Sequence, residues 1–252
     1  MIFLAVDTSL QATSVAIMEI TLTKVTKILA EQYLNVELTH SETTQFILEK
    51  CLSDARLELK DIDYFVAVTG PGSFTGLRIG VTLVKTLAAT QKKECIAVNS
   101  LSALAYDVER HFHADAKTLV VPMIDARNER VFAEVINKHK IVYPPQGIAF
   151  EDLLKLLQQK YKSKECSLLM VTVSHLPYMY KYADALANFK EFNMIETELT
   201  ATKALYLVAE MYKEHVCTFV HYNDLQPNYY ALSQAERSKL KQPYRAQVAP
   251  TK

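Results

Sequence analysis

Gly70, Gly72, Gly76 and Gly80 lie within eleven residues of a chain that has only five glycines. Glycine is required where φ turns positive or where another backbone or a ligand comes close, so the segment TGPGSFTGLRIG at residues 69–80 must follow an unusual path. It comes after an apolar run and before a helical pattern. Amides at the start of such a helix, here near residues 73–76, can hold an anion such as phosphate. The spacing matches neither G-x-x-x-x-G-K-[ST] nor G-x-G-x-x-G. Two readings therefore stand side by side. One is an anion cradle built on Gly70, Gly72 and Ser73; the other is a tight strand-to-helix turn in which Gly76 and Gly80 permit close packing.

Carboxylates come next. Asp7 ends the apolar run IFLAV, and Asp125 ends a similar run in LVVPMID. Both precede a short polar turn and a second apolar strand, so each falls at a hairpin tip. A pair of aspartates facing a cleft could hold a magnesium–nucleotide. The reading we favour is that each accepts amides of its own turn, as aspartate does at such tips. Ser73 sits in no G-x-S-x-G elbow, so nothing points to a Ser–His–Asp nucleophile. The seven histidines are scattered; His111 and His113, two residues apart, point to different faces of a helix and read as solvated helix-end residues. Cys51, Cys95, Cys166 and Cys217 form no C-x-x-C pair and read as reduced, buried thiols.

These residues need a frame to hold them. Half of the 252 residues are hydrophobic and 22% are charged, which is an ordinary globular composition with room for two lobes of roughly 100–130 residues. Lysine plus arginine equals aspartate plus glutamate at 28 each, so no global field draws the chain to nucleic acid or to an anionic membrane. The apolar start is too short for a signal peptide, no stretch is long enough to span a bilayer, and a cytoplasmic location is expected. Periodicity predicts strands at 2–6, 14–20 and 25–34 and a helix capped by Thr39 or Ser41 and running to 55. A strand at 64–68, a helix over 75–90, a strand at 94–98 and a helix over 100–111 follow. The pattern then repeats: a hairpin over 119–137, a strand at 141–148, a helix over 151–161, a strand at 167–173 and a helix over 200–214. Expected domains are 1–112, then 113–236, with a last helix able to pack back on the first lobe, and a flexible basic tail at 237–252. That tail has five cations in sixteen residues and could touch RNA phosphates.

The β-β-β-α-β-α order, twice over, resembles the duplicated ribonuclease-H-like lobes of the actin-like ATPase (ASKHA) superfamily, each an α/β lobe with a mixed five-stranded sheet flanked by helices. The strings GPGSFTGLRIG, DTS at residues 7–9, VNSLSALA at 98–105 and DAR at 125–127 resemble the TsaB (YeaZ) family across about the first 135 residues. Further on, Leu225, Pro227 and Tyr229 fit a motif close to L-x-P-x-Y-L-R, with Ala231 where arginine is expected. Asn128 to Arg130 stand where the family tends to carry a glycine. The resemblance implies a subunit for threonylcarbamoyladenosine synthesis at position 37 of tRNA, paralogous to the catalytic protein TsaD. TsaD binds its metal through an H-x-x-x-H helix after a V-N dipeptide; here those two positions are Ser100 and Leu104, and leucine cannot ligate. The resemblance thus implies a non-catalytic scaffold without a metal or an intrinsic cofactor, any nucleotide belonging to the assembled complex, with Asp7, Thr8, Ser9, Gly70, Gly72 and Ser73 lining a vestigial nucleotide cleft. A stand-alone Mg-ATP phosphotransferase or ATPase is the alternative; a metallopeptidase is a weaker one.

The helix over 75–90 is apolar on more than one side, leaving Arg78, Thr82, Lys85 and Thr86 polar, so it wants cover beyond its own sheet. TsaB proteins pair with TsaD, or with themselves, through their first-lobe helices. The resemblance carries that interface onto Phe46, Ile47, Cys51, Leu77, Val81, Val84, Leu87 and Ala88. It implies as partners a TsaD-like catalytic subunit, a TsaE-like ATPase, tRNA through the complex, and a second copy when the chain is alone.

Overall fold

A computed structural model describes residues 1–23, 26–35, 40–112, 115–137, 140–161 and 163–230. Lys24, Val25, Thr39, His113, Ala231 and the 237–252 segment lie outside the described residues, and so does the cap assigned to Thr39, whereas Ser41 falls within the helix itself.

The first unit is built on Met1–Ala103 together with Leu199–Asn228. Its sheet has the order β3(Lys27–Leu34)-β2(Thr13–Glu19)-β1(Ile2–Asp7)-β4(Tyr64–Gly70)-β5(Cys95–Asn99). β1 pairs antiparallel with β2 and parallel with β4, so it lies at the centre, and every residue from Phe3 to Asp7 is buried. That is why IFLAV and YFVAV read as unbroken apolar runs rather than alternating ones. β3, at the edge, is half exposed. Helices α1 (His40–Ala55) and α2 (Phe74–Gln91) bury Ile47, Leu48, Cys51, Val81, Val84 and Leu87 in one cluster with Leu4, Val6, Phe65 and Ala67.

The second unit is built on Leu104–Glu198. Its strands β6(Thr118–Asp125), β7(Arg130–Asn137), β8(Lys140–Ala149), β9(Ser167–Thr172) and β10(Glu191–Glu196) lie in the order β8-β7-β6-β9-β10. That order and every strand direction match the first sheet position by position: antiparallel β6–β7 and β7–β8, parallel β6–β9 and β9–β10. α4 (Phe150–Lys160) occupies the place of α1 and buries Phe150, Leu153, Leu154 and Leu157. The duplication foreseen from the two hairpins is therefore real.

Three expectations need correction. β10 separates β9 from the last helix, α6 (Ala201–Lys213), and had been missed. Between β9 and β10, where the first unit has the 18-residue α2, the chain has only a 3-10 turn at Pro177–Tyr182 and the four-residue α5 (Ala183–Leu186). Finally, the units do not divide at 112/113. α3 (Ser100–Phe112) enters the second unit at Leu104; the expected packing of the last helix back on the first unit does occur, the amide of Ala201 in α6 donating to Ser14 Oγ at 2.8 Å. Tyr212 of α6 and Phe219 beyond it also stack into an aromatic group with Phe3 and Tyr64 at centroid distances of 4.7–5.4 Å.

Candidate functional site

Asp7, Thr8, Ser9, Gly70, Gly72 and Ser73 come together at the carboxyl ends of β1 and β4. The Gly70–Pro71 peptide is cis, and Gly70 has φ 117°, a region that favours glycine. Ser73 caps α2, its Oγ accepting from the amide of Gly76 at 3.2 Å. The faces of the next glycines are filled by the β1–β2 turn. The Ser73 amide donates to the Ser9 carbonyl at 2.6 Å, and Thr8 Oγ1 donates to the Gly76 carbonyl at 2.6 Å. A Cβ on Gly72 would stand 2.2 Å from the Ser9 oxygen, one on Gly76 2.0 Å from the Thr8 oxygen, and one on Gly80 2.3 Å from Thr8 Oγ1. Gly72 just ahead of α2, with Gly76 and Gly80 within it, thus forms a groove that seats Thr8 and Ser9. Of the two readings of this segment, close packing is what the glycines do here.

The aspartates behave alike. Asp7 Oδ1 accepts from the amide of Ser9 at 2.8 Å, and Asp125 Oδ1 accepts from the amide of Arg127 at 3.0 Å. Both carboxylates organise their own turns. They differ in burial: Asp7 is 2% exposed, whereas Asp125 is exposed. Loss of solvation pushes the Asp7 carboxyl up to about 6, against the opposing pull of the hydrogen bonding from Ser9. In the second hairpin, Arg127, Asn128 and Glu129 all have positive φ, from 54° to 65°, without a glycine among them. The Glu129 carboxylate, paired with Lys181 and hydrogen-bonded to the Tyr182 hydroxyl, fixes that turn from the 3-10 segment.

A residue absent from the sequence-based site completes it. Asn228 lies between Pro227 and Tyr229 of the late motif. Its amide donates to the Thr69 carbonyl at 2.8 Å, and its side-chain Nδ2 donates to Thr69 Oγ1 at 3.1 Å. Leu225 anchors the same segment in the core, and Lys85 Nζ donates to the Asn223 carbonyl at 2.8 Å. The motif spacing around Leu225 and Pro227 was the available signal. What it could not show was that the segment returns to brace the glycine loop.

Ser100 and Leu104, at the two positions where the catalytic paralogue ligates metal, are fully buried at 0% exposure. His111 is exposed, with Nδ1 2.7 Å from the Asp107 carbonyl. Among the described residues no three His, Cys, Asp or Glu side chains converge as a metal set, and no helix is long and apolar enough to cross a membrane.

Of the eight residues assigned to a partner interface, seven belong to the first unit's own core: Ile47, Cys51, Leu77, Val81, Val84, Leu87 and Ala88 are all below 9% exposure. Only Phe46, at 64%, faces solvent. The cover that the two-sided apolar pattern demanded comes from β1, β4, α1 and the 220–225 segment. Among the described side chains, α1 leaves Gln45, Phe46, Glu49, Lys50, Ser53 and Asp54 outside, and α2 leaves Thr75, Arg78, Thr82, Thr86 and Thr90, with Ile79 and Leu83 half-buried.

A mixed five-stranded sheet of this strand order, present twice, with hairpin-tip aspartates and a helix seated on the first hairpin, defines a protein of two like α/β units. Comparison with known proteins narrows this. The family model described as TsaD, tRNA N6-adenosine threonylcarbamoyltransferase, matches residues 27–235. The Bacillus subtilis (strain 168) tRNA threonylcarbamoyladenosine biosynthesis protein TsaB is 33% identical over 164 residues, covering 64% of this chain and 67% of the relative. The protein of the same name from Haemophilus influenzae (strain ATCC 51907 / DSM 11121 / KW20 / Rd) is 27% identical over 206 residues, 81% of this chain and 82% of its own. A solved Pseudomonas aeruginosa structure described as similar to peptidase YeaZ shares the fold at a TM-score of 0.71 and 20% identity, over 90% of this chain and 98% of its own. The chain belongs to the TsaB (YeaZ) family.

Proposed function

We propose that this chain is a non-catalytic subunit that supports a TsaD-like enzyme in forming threonylcarbamoyladenosine at position 37 of tRNA. The observation that carries the reading is the coincidence of two things in one chain. The TsaB signature is kept at residues 69–80, while the positions that ligate metal in the catalytic paralogue hold Ser100 and Leu104, both sealed in the interior. A hydroxyl and an isobutyl group at i and i+4 cannot hold a metal together. The seating of Thr8 and Ser9 in the glycine groove supports the companion view that the chain has no nucleotide of its own, any nucleotide belonging to the complex. The same reading takes a TsaE-like ATPase and tRNA as further members of the assembly, and self-association in the absence of the enzyme.

The burial pattern moves the proposed contact surface outward, to Phe46, Thr75, Ile79, Thr82 and Leu83 on the outer faces of α1 and α2. Charged substitutions at Val84 or Leu87 would break the core rather than probe an interface. Phe46→Glu combined with Leu83→Glu is the sharper variant. It should weaken copurification with the cognate TsaD-like subunit by about a hundredfold, as expected of two lost apolar anchors, while the melting temperature of the free chain moves by only a few degrees. An undiminished complex would remove this face from the account.

A further inference from the structure

The two sheets are copies, but their outer parallel edges are finished differently. In the first, the row Leu4–Phe65–Cys95 runs across β1, β4 and β5 and stays buried to its end, with Cys95 at 0% exposure. The edge of β5 is then paired antiparallel by Val220, through hydrogen bonds of 2.9 and 2.8 Å to Cys95. The neighbouring row ends on the small side chain of Ala97. In the second sheet, the corresponding rows are Leu119–Leu168–Phe192 and Val121–Met170–Met194. They begin fully buried and end at 36% exposure for Phe192 and 40% for Met194. The difference lies in the connection: in place of a long helix, the 3-10 turn and α5 between β9 and β10 bury Met179, Leu186 and Phe189 in one cluster with Leu168 and Met170, and Phe192 and Met194 stay part-exposed beyond them. Among the described residues no strand pairs with the outer edge of β10.

Such an edge presents unpaired amides and carbonyls beside large apolar side chains, and soluble proteins usually protect it. Among the described residues the charges that flank it are mostly acidic, with one exposed cation, Lys190, just ahead of the strand. β10 reads EFNMIE, with Glu191 and Glu196 exposed at its ends, an exposed Glu198 just beyond, and no cation within the strand. Antiparallel self-pairing about the middle of the strand would set Glu191 against Glu196 of a second copy, which like-charge repulsion disfavours. The same charges favour a basic segment.

We propose that β10 is a docking edge for an extended segment of a partner protein, apolar at alternate positions and basic at its ends, which adds as a sixth strand. Main-chain hydrogen bonds to β10 would supply affinity, and Phe192 with Met194 would receive the alternate side chains. The glutamates would select charge. The proposal is independent of the tRNA-modification reading.

The test uses the full chain and a fluorescent peptide of alternating valine and threonine with lysine at both ends, beside a version ended by glutamate. The lysine-ended peptide should bind at least about tenfold tighter, as expected of two or three ion pairs, and should slow amide exchange at residues 192–196. Glu191→Lys with Glu196→Lys should invert the preference, and Phe192→Ser with Met194→Ser should weaken both peptides. The proposal is overturned by no binding, by binding that leaves those amides unprotected, or by a preference that charge reversal does not move. It is also overturned by protection in the peptide-free chain. Protection that grows with protein concentration would make a second copy the occupant, and protection that is lost on truncation after Glu236 would make it the chain's own basic segment.

Discussion

Gly76→Ala is expected to cost about 3 kcal/mol of stability or more, enough to leave most of the variant insoluble or molten. The added methyl would meet the Thr8 carbonyl oxygen at 2.0 Å, and that oxygen belongs to backbone held between β1 and β2. No rotamer change relieves a backbone clash. Gly80→Ala is the informative contrast, because there the obstacle at 2.3 Å is Thr8 Oγ1, a side-chain atom, while Thr8 Cβ is already at an ordinary 3.5 Å. Thr8→Ala should therefore rescue Gly80→Ala and fail to rescue Gly76→Ala. Urea melts of the three single variants and the two doubles, treated as double-mutant cycles, measure this. Equal behaviour of the two glycines would mean that α2 does not sit on the Thr8–Ser9 turn as described.

The second large effect is a pH dependence centred on Asp7. Its folded carboxyl is raised to about 6 from an ordinary 3.8, so between those values the folded state holds a proton that the unfolded state has released. Stability from this group is therefore full below about pH 4, falls as pH rises, and is lost above about pH 6, a total of about 3 kcal/mol. Asp7→Asn keeps an oxygen to accept the Ser9 amide but does not titrate. The variant should match the parent near pH 4 and exceed it by up to about 3 kcal/mol at pH 7.5. Denaturation at several pH values reads the difference directly. A variant less stable than the parent at pH 7.5 would mean that the folded site favours the ionised carboxylate, contrary to the burial argument.

Why would a fold keep a carboxylate where its charge is costly? In the second hairpin Asp125 makes the same turn bond with solvent access, so the bond itself does not require burial. The burial of Asp7 follows from the way Thr8 and Ser9 are drawn into the glycine groove. The same contact that commits Gly72, Gly76 and Gly80 to packing also removes the aspartate from water.

Much of this frame was legible in the residues. The IFLAVD and VVPMID runs, each ending in aspartate before a polar turn, announce two copies of one hairpin, and the strand orders agree. The clustered glycines marked a close approach, but amino-acid types do not say whether a ligand or the chain's own turn fills it. β10 escaped detection because an exposed edge strand flanked by charge shows neither a buried apolar run nor a clean alternation. Seven of the eight residues assigned to an interface are core residues for a related reason. A helix apolar on two sides reads the same whether a partner covers it or the same chain returns to do so, as Leu225 and Tyr222 do here. Asn228 was invisible because its role rests on a contact 159 residues away.

The central claim is that this chain enables a TsaD-like enzyme without performing the chemistry. The most direct measurement is threonylcarbamoyladenosine formation on tRNA in a reconstituted reaction that contains the cognate TsaD-like subunit, the TsaE-like ATPase and the activated threonylcarbamoyl donor. The account predicts no product when either this chain or the TsaD-like subunit is left out, and full product when a chain carrying Ser100→Ala is used. Product formed by this chain without the TsaD-like subunit, or undiminished product in its own absence, would contradict it.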